Sequence, residues 1–249
     1  MSPIRGVRLL AAVLAAVAFL AGCGSVSGSG QPEASGPSGS ASAANGIADL
    51  TAKEILARAE EALGSAKSVH IKGDGFSEGE QFAIDMQYGT DAATGSLTIN
   101  GQTIELLRVS DTVYFKGSAA FWRSIGGSSA AELLKGRYLK VPATSPDFAE
   151  LASFTDLTKN SKDLLSPEGE ISKGQRKTIR GTEAIGLVDS SDGGTLYIAL
   201  QGEPYPLQVM GGTKKGDTGS LDFFDYGKPV KVTAPPADQV VDISKLGGR

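Results

Sequence analysis

Two residue types that most often act as nucleophile or general base each occur once in this 249-residue chain, as Cys23 and His70. A hydrolytic triad needs its histidine held beside a serine, and the chain has no G-x-S-x-G elbow to present one. Zinc and haem sites need several His or Cys ligands at defined spacing, which one of each does not supply. The carboxylate pairs Glu60-Glu61 and Asp222/Asp225 have no base, acid or cation at supporting spacing, and read as solvated faces or turns. Gly126-Gly127 and Gly211-Gly212 lack the Lys-Ser/Thr of a phosphate loop. The expectation is a chain without enzymatic chemistry, metal or cofactor.

Cys23 then stands out by its position. Met1 to Arg8 carries two cations, Arg5 and Arg8, and Leu9 to Leu20 is a run of twelve residues without a polar side chain. As a helix that run would span about 18 Å, short of the ~30 Å hydrocarbon core and suited to a secretory signal. Ala21-Gly22-Cys23 closes it and resembles the lipobox of bacterial lipoproteins. The resemblance implies a diacylglyceryl thioether on Cys23 and cleavage just before it. There is no Arg-Arg pair, so the general secretory route is expected. Residues 1–22 are therefore expected to be a signal peptide, and the mature chain to sit on the outer face of the cytoplasmic membrane. Their removal takes away two positive charges and no carboxylate, so the formal −4 becomes −6. That balance gives no electrostatic reason to bind nucleic acid. With Cys23 lipidated no thiol remains for a disulfide, and the folded part must hold together by core burial.

Gly24 to Asn45 is nearly all Ser, Gly, Ala and Pro. Such a tract buries too little apolar area to offset its ordering entropy, so residues 23–46 are expected to be a lipidated, disordered tether spanning roughly 25 Å. Residues 47–249 are then one domain. It opens on Thr51-Ala52-Lys53-Glu54, a capping box, followed by Ile55, Leu56, Ala59, Ala62 and Leu63 at helical spacing, with Gly64 as stop. Phe82, Ile84, Met86 and Tyr88 alternate with polar residues. Leu97 and Ile99 lead into the hairpin signal Asn100-Gly101, then Ile104 and Leu106; Ser110-Asp111-Thr112 turns into Val113-Tyr114-Phe115. These predict an antiparallel meander beginning near His70. Phe121-Trp122 precedes Gly126-Gly127 and a short helix over 128–134 that contains Leu133. Tyr138 to Val141 reads as extended, and Pro146 opens a helix carrying Phe148, Leu151 and Phe154. Strands resume after Gly169, with turns at Gly181-Thr182 and Asp192-Gly193. Pro229 to Thr233 is a last extended stretch, and Ala234-Pro235-Pro236 is expected to end the sheet.

In this order the elements resemble the actinobacterial LppX, LprF and LprG lipoproteins, which share the fold of the carriers LolA and LolB. The stretches that carry the likeness are the tether, the first helix, the Arg180-Gly181-Thr182 turn, Asp192 to Tyr197, Pro204 to Leu207 and Asp225 to Val230. The resemblance implies an α+β fold: a strongly curved antiparallel sheet of about 10–11 strands, a half-open barrel, with helices over its concave face. It also implies an acylated lipid or lipoglycan bound between sheet and helices, with the helical insert as a lid and a membrane transporter or envelope protein as further partner. Candidate lining residues are Phe82, Ile84, Met86, Tyr88, Leu97, Ile99, Ile104, Leu106, Phe115, Trp122, Leu133 and Phe148. Each could equally be ordinary core, and alternation alone does not say which set faces inward, since a one-residue slip inverts it. A second reading keeps the fold as an envelope sensor or interaction module without lipid transport.

Overall fold

A computed structural model describes residues 43–77, 79–212 and 218–245. Cys23, the apolar run before it and most of the tether lie outside these. Twelve strands form one open, curved, mixed sheet in the order β12-β6-β5-β4-β3-β2-β1-β11-β10-β9-β8-β7. The strands are β1 (Ser68–Ser77), β2 (Glu80–Gly89), β3 (Ala92–Ile99), β4 (Gln102–Val109), β5 (Thr112–Gly117), β6 (Tyr138–Pro142), β7 (Ile171–Ile179), β8 (Thr182–Asp189), β9 (Thr195–Ala199), β10 (Pro206–Met210), β11 (Thr218–Phe224) and β12 (Val240–Asp242). The helices are α1 (Ala52–Ser65), α2 (Ala119–Leu133), α3 (Ala149–Ser153) and α4 (Leu157–Leu165).

Local chemistry accounts for the hairpins. Asn100 and Gly101 both have positive φ (49° and 77°), as do Arg180 and Gly181 (49° and 85°), which is the type I′ geometry that matches strand twist. Asp192 accepts the Gly194 N–H at 2.8 Å and so closes the β8–β9 turn on itself. The capping box of α1 is formed in full: Glu54 N–H reaches Thr51 and the Glu54 carboxylate accepts the Thr51 N–H.

The two meanders meet where β1 pairs with β11, and glycine makes that seam. A Cβ on Gly73 would lie 1.9 Å from the Ser220 carbonyl oxygen, and one on Gly75 would lie 2.0 Å from that of Thr218. Gly219 approaches the Asp74 carbonyl as closely, at φ 113°. Side chains at these points would hold the strands apart, so their absence permits the sharp coil that turns a flat sheet into a trough.

Four expectations change. The sheet has twelve strands, because Val240–Asp242 pairs with β6 after the Ala234-Pro235-Pro236 stop, and this pairing is parallel. Residues 229–236 form no strand. The short helix expected after Gly126-Gly127 is present, and a further helical stretch from Ala119, which Ser118 caps by accepting the Phe121 N–H at 3.1 Å, precedes it. The two stretches are counted together as α2, but Gly127 between them is not helical (φ 73°, ψ −170°) and kinks the chain. Gly64 does not end α1, which continues to Ser65.

Candidate functional site

Register identifies the inner face. One row of paired residues runs Val241, Leu139, Phe115, Leu106, Gly95, Met86, Ile71, Phe223 across eight strands. The next runs Leu187, Leu196, Val209, Leu221, Gly73, Ile84, Leu97, Ile104, Gly117. Paired residues point to one side of a sheet, so the trough presents a continuous apolar wall. The helices lie on this side. Ile55, Ala59 and Leu63 of α1, Trp122 of α2, and Leu157 and Leu165 of α4 join the same hydrophobic cluster. The convex side is polar, with Lys72, His70 and Asp85 in one cluster and Arg180, Asp222 and Gln208 in another.

The candidate residues divide by burial. Phe82, Met86, Tyr88, Leu97, Ile104, Leu106, Phe115 and Trp122 are each 5 % exposed or less. They pack against one another and the helices, in contact with side chains rather than with open space. Ile84, Ile99 and Phe148 are half-buried beside them, and Phe148 stacks on Phe115 with ring centroids 5.9 Å apart. Leu133 is 42 % exposed and its neighbour Leu134 is the one that turns inward. Burial pushes the Tyr88 hydroxyl far above its ordinary pKa. The indole N–H of Trp122 is buried with no acceptor among the described residues, a donor pointed into an apolar environment.

Sequence reasoning passed over two residues. Arg108 occupies an inward position in the row Val141, Val113, Arg108, Ala93, Tyr88, Val69, whose other members are 4 % exposed or less. Its guanidinium lies 3.0 Å from the carboxylate of Asp156, the residue that caps α4. The signal was available: Ile104, Leu106 and Arg108 continue one alternation, and a cation there must enter the apolar wall. Asp189 is the second. Its carboxylate accepts the N–H groups of Glu168 and Ser191, both at 2.7 Å, and of Gly169 at 3.2 Å. It thereby fixes the segment that leads from α4 into β7. Desolvation would raise its pKa, but those backbone donors outweigh it and the net shift is downward.

Beside that segment is an open groove of about 300 Å³, lined by Lys53, Leu56, Ala57 and Glu60 of α1 and by Pro167, Gly169, Glu170 and Ile171. It is the low end of small-molecule pocket sizes. α4 crosses the trough from Arg108 on β4 toward this groove, packed against α1.

His70 lies on the convex face, its Nε2 2.6 Å from Asp85 and its ring against Phe224. Asp222 is engaged by Arg180, Asp225 by Lys228 and Glu61 by Arg58. Among the described residues no three His, Cys, Asp or Glu side chains gather as a metal site would need, and no helix is long and apolar enough to cross a membrane.

No protein-family profile matches the chain. The lipoarabinomannan carrier protein LprG of Mycolicibacterium hassiacum is 23% identical over 254 residues, covering 94% of this chain and 99% of that protein. The resemblance to the LppX, LprF and LprG lipoproteins therefore extends over nearly the whole sequence, at low identity. The relative is named as a carrier, not as an enzyme. Among solved structures, LprF from Mycobacterium bovis aligns with a TM-score of 0.49 at 16% identity, over 74% of this chain and 96% of that one. An uncharacterised conserved protein from Thermus thermophilus aligns with a TM-score of 0.36 at 15% identity, over 77% and 98%.

Proposed function

We propose that this chain is a lipoprotein anchored through diacylglyceryl-Cys23 on the outer face of the cytoplasmic membrane, and that it binds acylated lipid between its sheet and its helical cover. The observation that carries the reading is the pair of apolar rows running in register through β6 to β1 and on to β11 and beyond, on the side that the helices cover. The full-length likeness to a protein named as a lipoglycan carrier supports it. Residues 1–22 would be the signal peptide, 23–46 the lipidated tether and 47–249 the binding domain.

The wall is closed by side chains, so an acyl chain has to displace part of the cover. α2 suits that role: it buries only Trp122 and Ala131 and is kinked at Gly127. Each methylene transferred from water onto the wall contributes about 0.8 kcal/mol. A sixteen-carbon chain therefore supplies on the order of 10 kcal/mol to offset lifting the cover. No step of covalent chemistry is involved; binding is shape and burial.

Two measurements test the reading. Palmitate labelling of the wild-type chain, lost in Cys23→Ser, checks the anchor. Mass spectrometry of lipids that co-purify with Cys23→Ser protein checks the ligand, and a protein that repeatedly emerges free of lipid sinks the proposal. The filled wall favours one alternative, an interaction module that keeps the fold and carries no lipid. Crosslinking in cells that captured one membrane protein, together with lipid-free protein, would select it.

A further inference from the structure

We infer that Arg108 is the receptor for an anionic group on the bound lipid, a carboxylate or phosphate, and that Asp156 occupies this receptor in the ligand-free state. The inference rests on the lipid-binding reading and names the headgroup chemistry of the same site.

Arg108 is the cation of its row, in a wall where the other inward residues of β3 to β6 are apolar or glycine except Gln102. A charge held against apolar surroundings needs a partner, because water no longer solvates it fully. Both members of the pair are largely covered, with side chains 17% and 15% exposed. The partner, however, does not come from the rigid sheet. It is the residue that caps α4, part of the helical cover that a ligand must pass. The guanidinium itself stays with the sheet, since its Nε donates to the Ser110 carbonyl at 3.0 Å, two residues on, where β4 turns toward β5. Movement of α4 therefore separates the pair by taking away the carboxylate and leaving the guanidinium in place, facing the trough. A planar guanidinium pairs with carboxylate and phosphate oxygens in the same fork geometry, so an incoming anion reproduces what Asp156 supplied.

Asp156 also accepts the Lys159 N–H at 3.3 Å and has Lys159 Nζ 3.6 Å away. Once released from Arg108 it keeps these partners within its own helix. α4 thus remains capped while it is unlatched from β4. Exchange of one carboxylate for another couples the arrival of a headgroup to the opening of the cover.

The test uses the full-length Cys23→Ser chain at pH 8 and displacement of the neutral reporter N-phenyl-1-naphthylamine. Competitors are palmitate, 1-hexadecanol of the same chain length, and inorganic phosphate. Palmitate is expected to bind about tenfold more tightly than hexadecanol, the scale of one hydrogen bond to a charged group. Arg108→Gln should erase that preference with hexadecanol affinity unchanged. Asp156→Asn should tighten palmitate severalfold and leave hexadecanol alone, and it decides the matter if Arg108→Gln does not fold. Two ligands that bind equally to wild type and to Asp156→Asn would overturn the headgroup assignment and leave lipid binding intact. Failure of both lipids to displace the reporter would instead overturn lipid binding itself. Displacement by phosphate alone would mark a free-anion site and overturn the assignment as well.

Discussion

Single residues in this protein are constrained most where polarity meets the apolar wall. Asp189 holds three backbone N–H groups and Asp156 holds Arg108. Desolvation works against both carboxyls, yet these partners keep each below the ordinary aspartate range. A carboxyl whose folded pKa is depressed stabilises the fold fully above its unfolded value of about 3.9, and that contribution is lost as pH falls through the folded pKa. Urea midpoints should therefore be flat from neutral pH down to about 5 and then drop. In Asp189→Asn the drop should shrink, from a midpoint already lowered at pH 7. An acid limb identical to wild type would show that Asp189 does not contribute to it. Trp122 allows a different comparison. Trp122→Ala removes a fully buried indole and should cost about 3–5 kcal/mol. Trp122→Phe also loses volume, but it abolishes a buried N–H that has no acceptor among the described residues, so its cost should be about 2 kcal/mol less. Equal costs in chemical denaturation would mean that the N–H is satisfied in solution.

At the scale of elements, what the sequence makes legible is whatever local chemistry decides. The α1 capping box and the Asn100-Gly101 and Asp192-Gly193 turns stand as read, because each depends on residues within four positions of one another. The alternation over Phe82 to Tyr88 is equally local, but which side it faces is set by pairing with β1 and β3 and emerges only in the fold. β12 was illegible for the same reason. Its three residues carry little pattern of their own and become a strand by lying beside β6, a hundred residues away. Gly126-Gly127 reads correctly as a break, since Gly127 is not helical; the helical stretch before it was missed because Ser118, three residues before Phe121, was the overlooked cap. The β1–β11 seam depends on close approach of distant backbones, so its glycines look like any others in sequence. Gly73→Ala is accordingly expected to be among the most disruptive single changes, above about 4 kcal/mol, since its methyl would meet a backbone carbonyl that cannot rotate away. Gly127→Ala meets open space, and its φ 73° with ψ −170°, a conformation kept almost to glycine, costs only local strain of about 1–3 kcal/mol. If the two variants melted at the same temperature, the seam would not be where the sheet is most constrained.

The whole molecule is an extensively hydrogen-bonded trough under a cover that buries far less, and this asymmetry is what the proposed lipid binding needs. The wall is knit by ladders from β12 to β7, in which most of the largest fully buried side chains sit. The segment from α2 to α4, β6 apart, contributes fewer and, Trp122 excepted, smaller ones: Trp122 and Ala131 from α2 with Leu134 just after it, Ala152 from α3, Thr155, and Leu157, Ser161 and Leu165 from α4. Local opening free energy scales with the burial that opening undoes, so residues 119–165, β6 apart, should exchange their amide hydrogens through openings much cheaper than global unfolding. The amides of β1 to β5 should exchange only when the whole domain unfolds. Hydrogen exchange followed by mass spectrometry separates the two classes. Palmitate added at saturation should slow exchange in the sheet through mass action on the folded state. In α4 it should either fail to slow exchange or speed it, because the ligand carboxylate takes the place of Asp156 on Arg108 and the helix is no longer latched to β4. Uniform protection of α4 and the sheet by palmitate would show that the cover closes on its ligand with the Arg108–Asp156 pair intact. The headgroup would then be held elsewhere, and the trough would open by α2 alone.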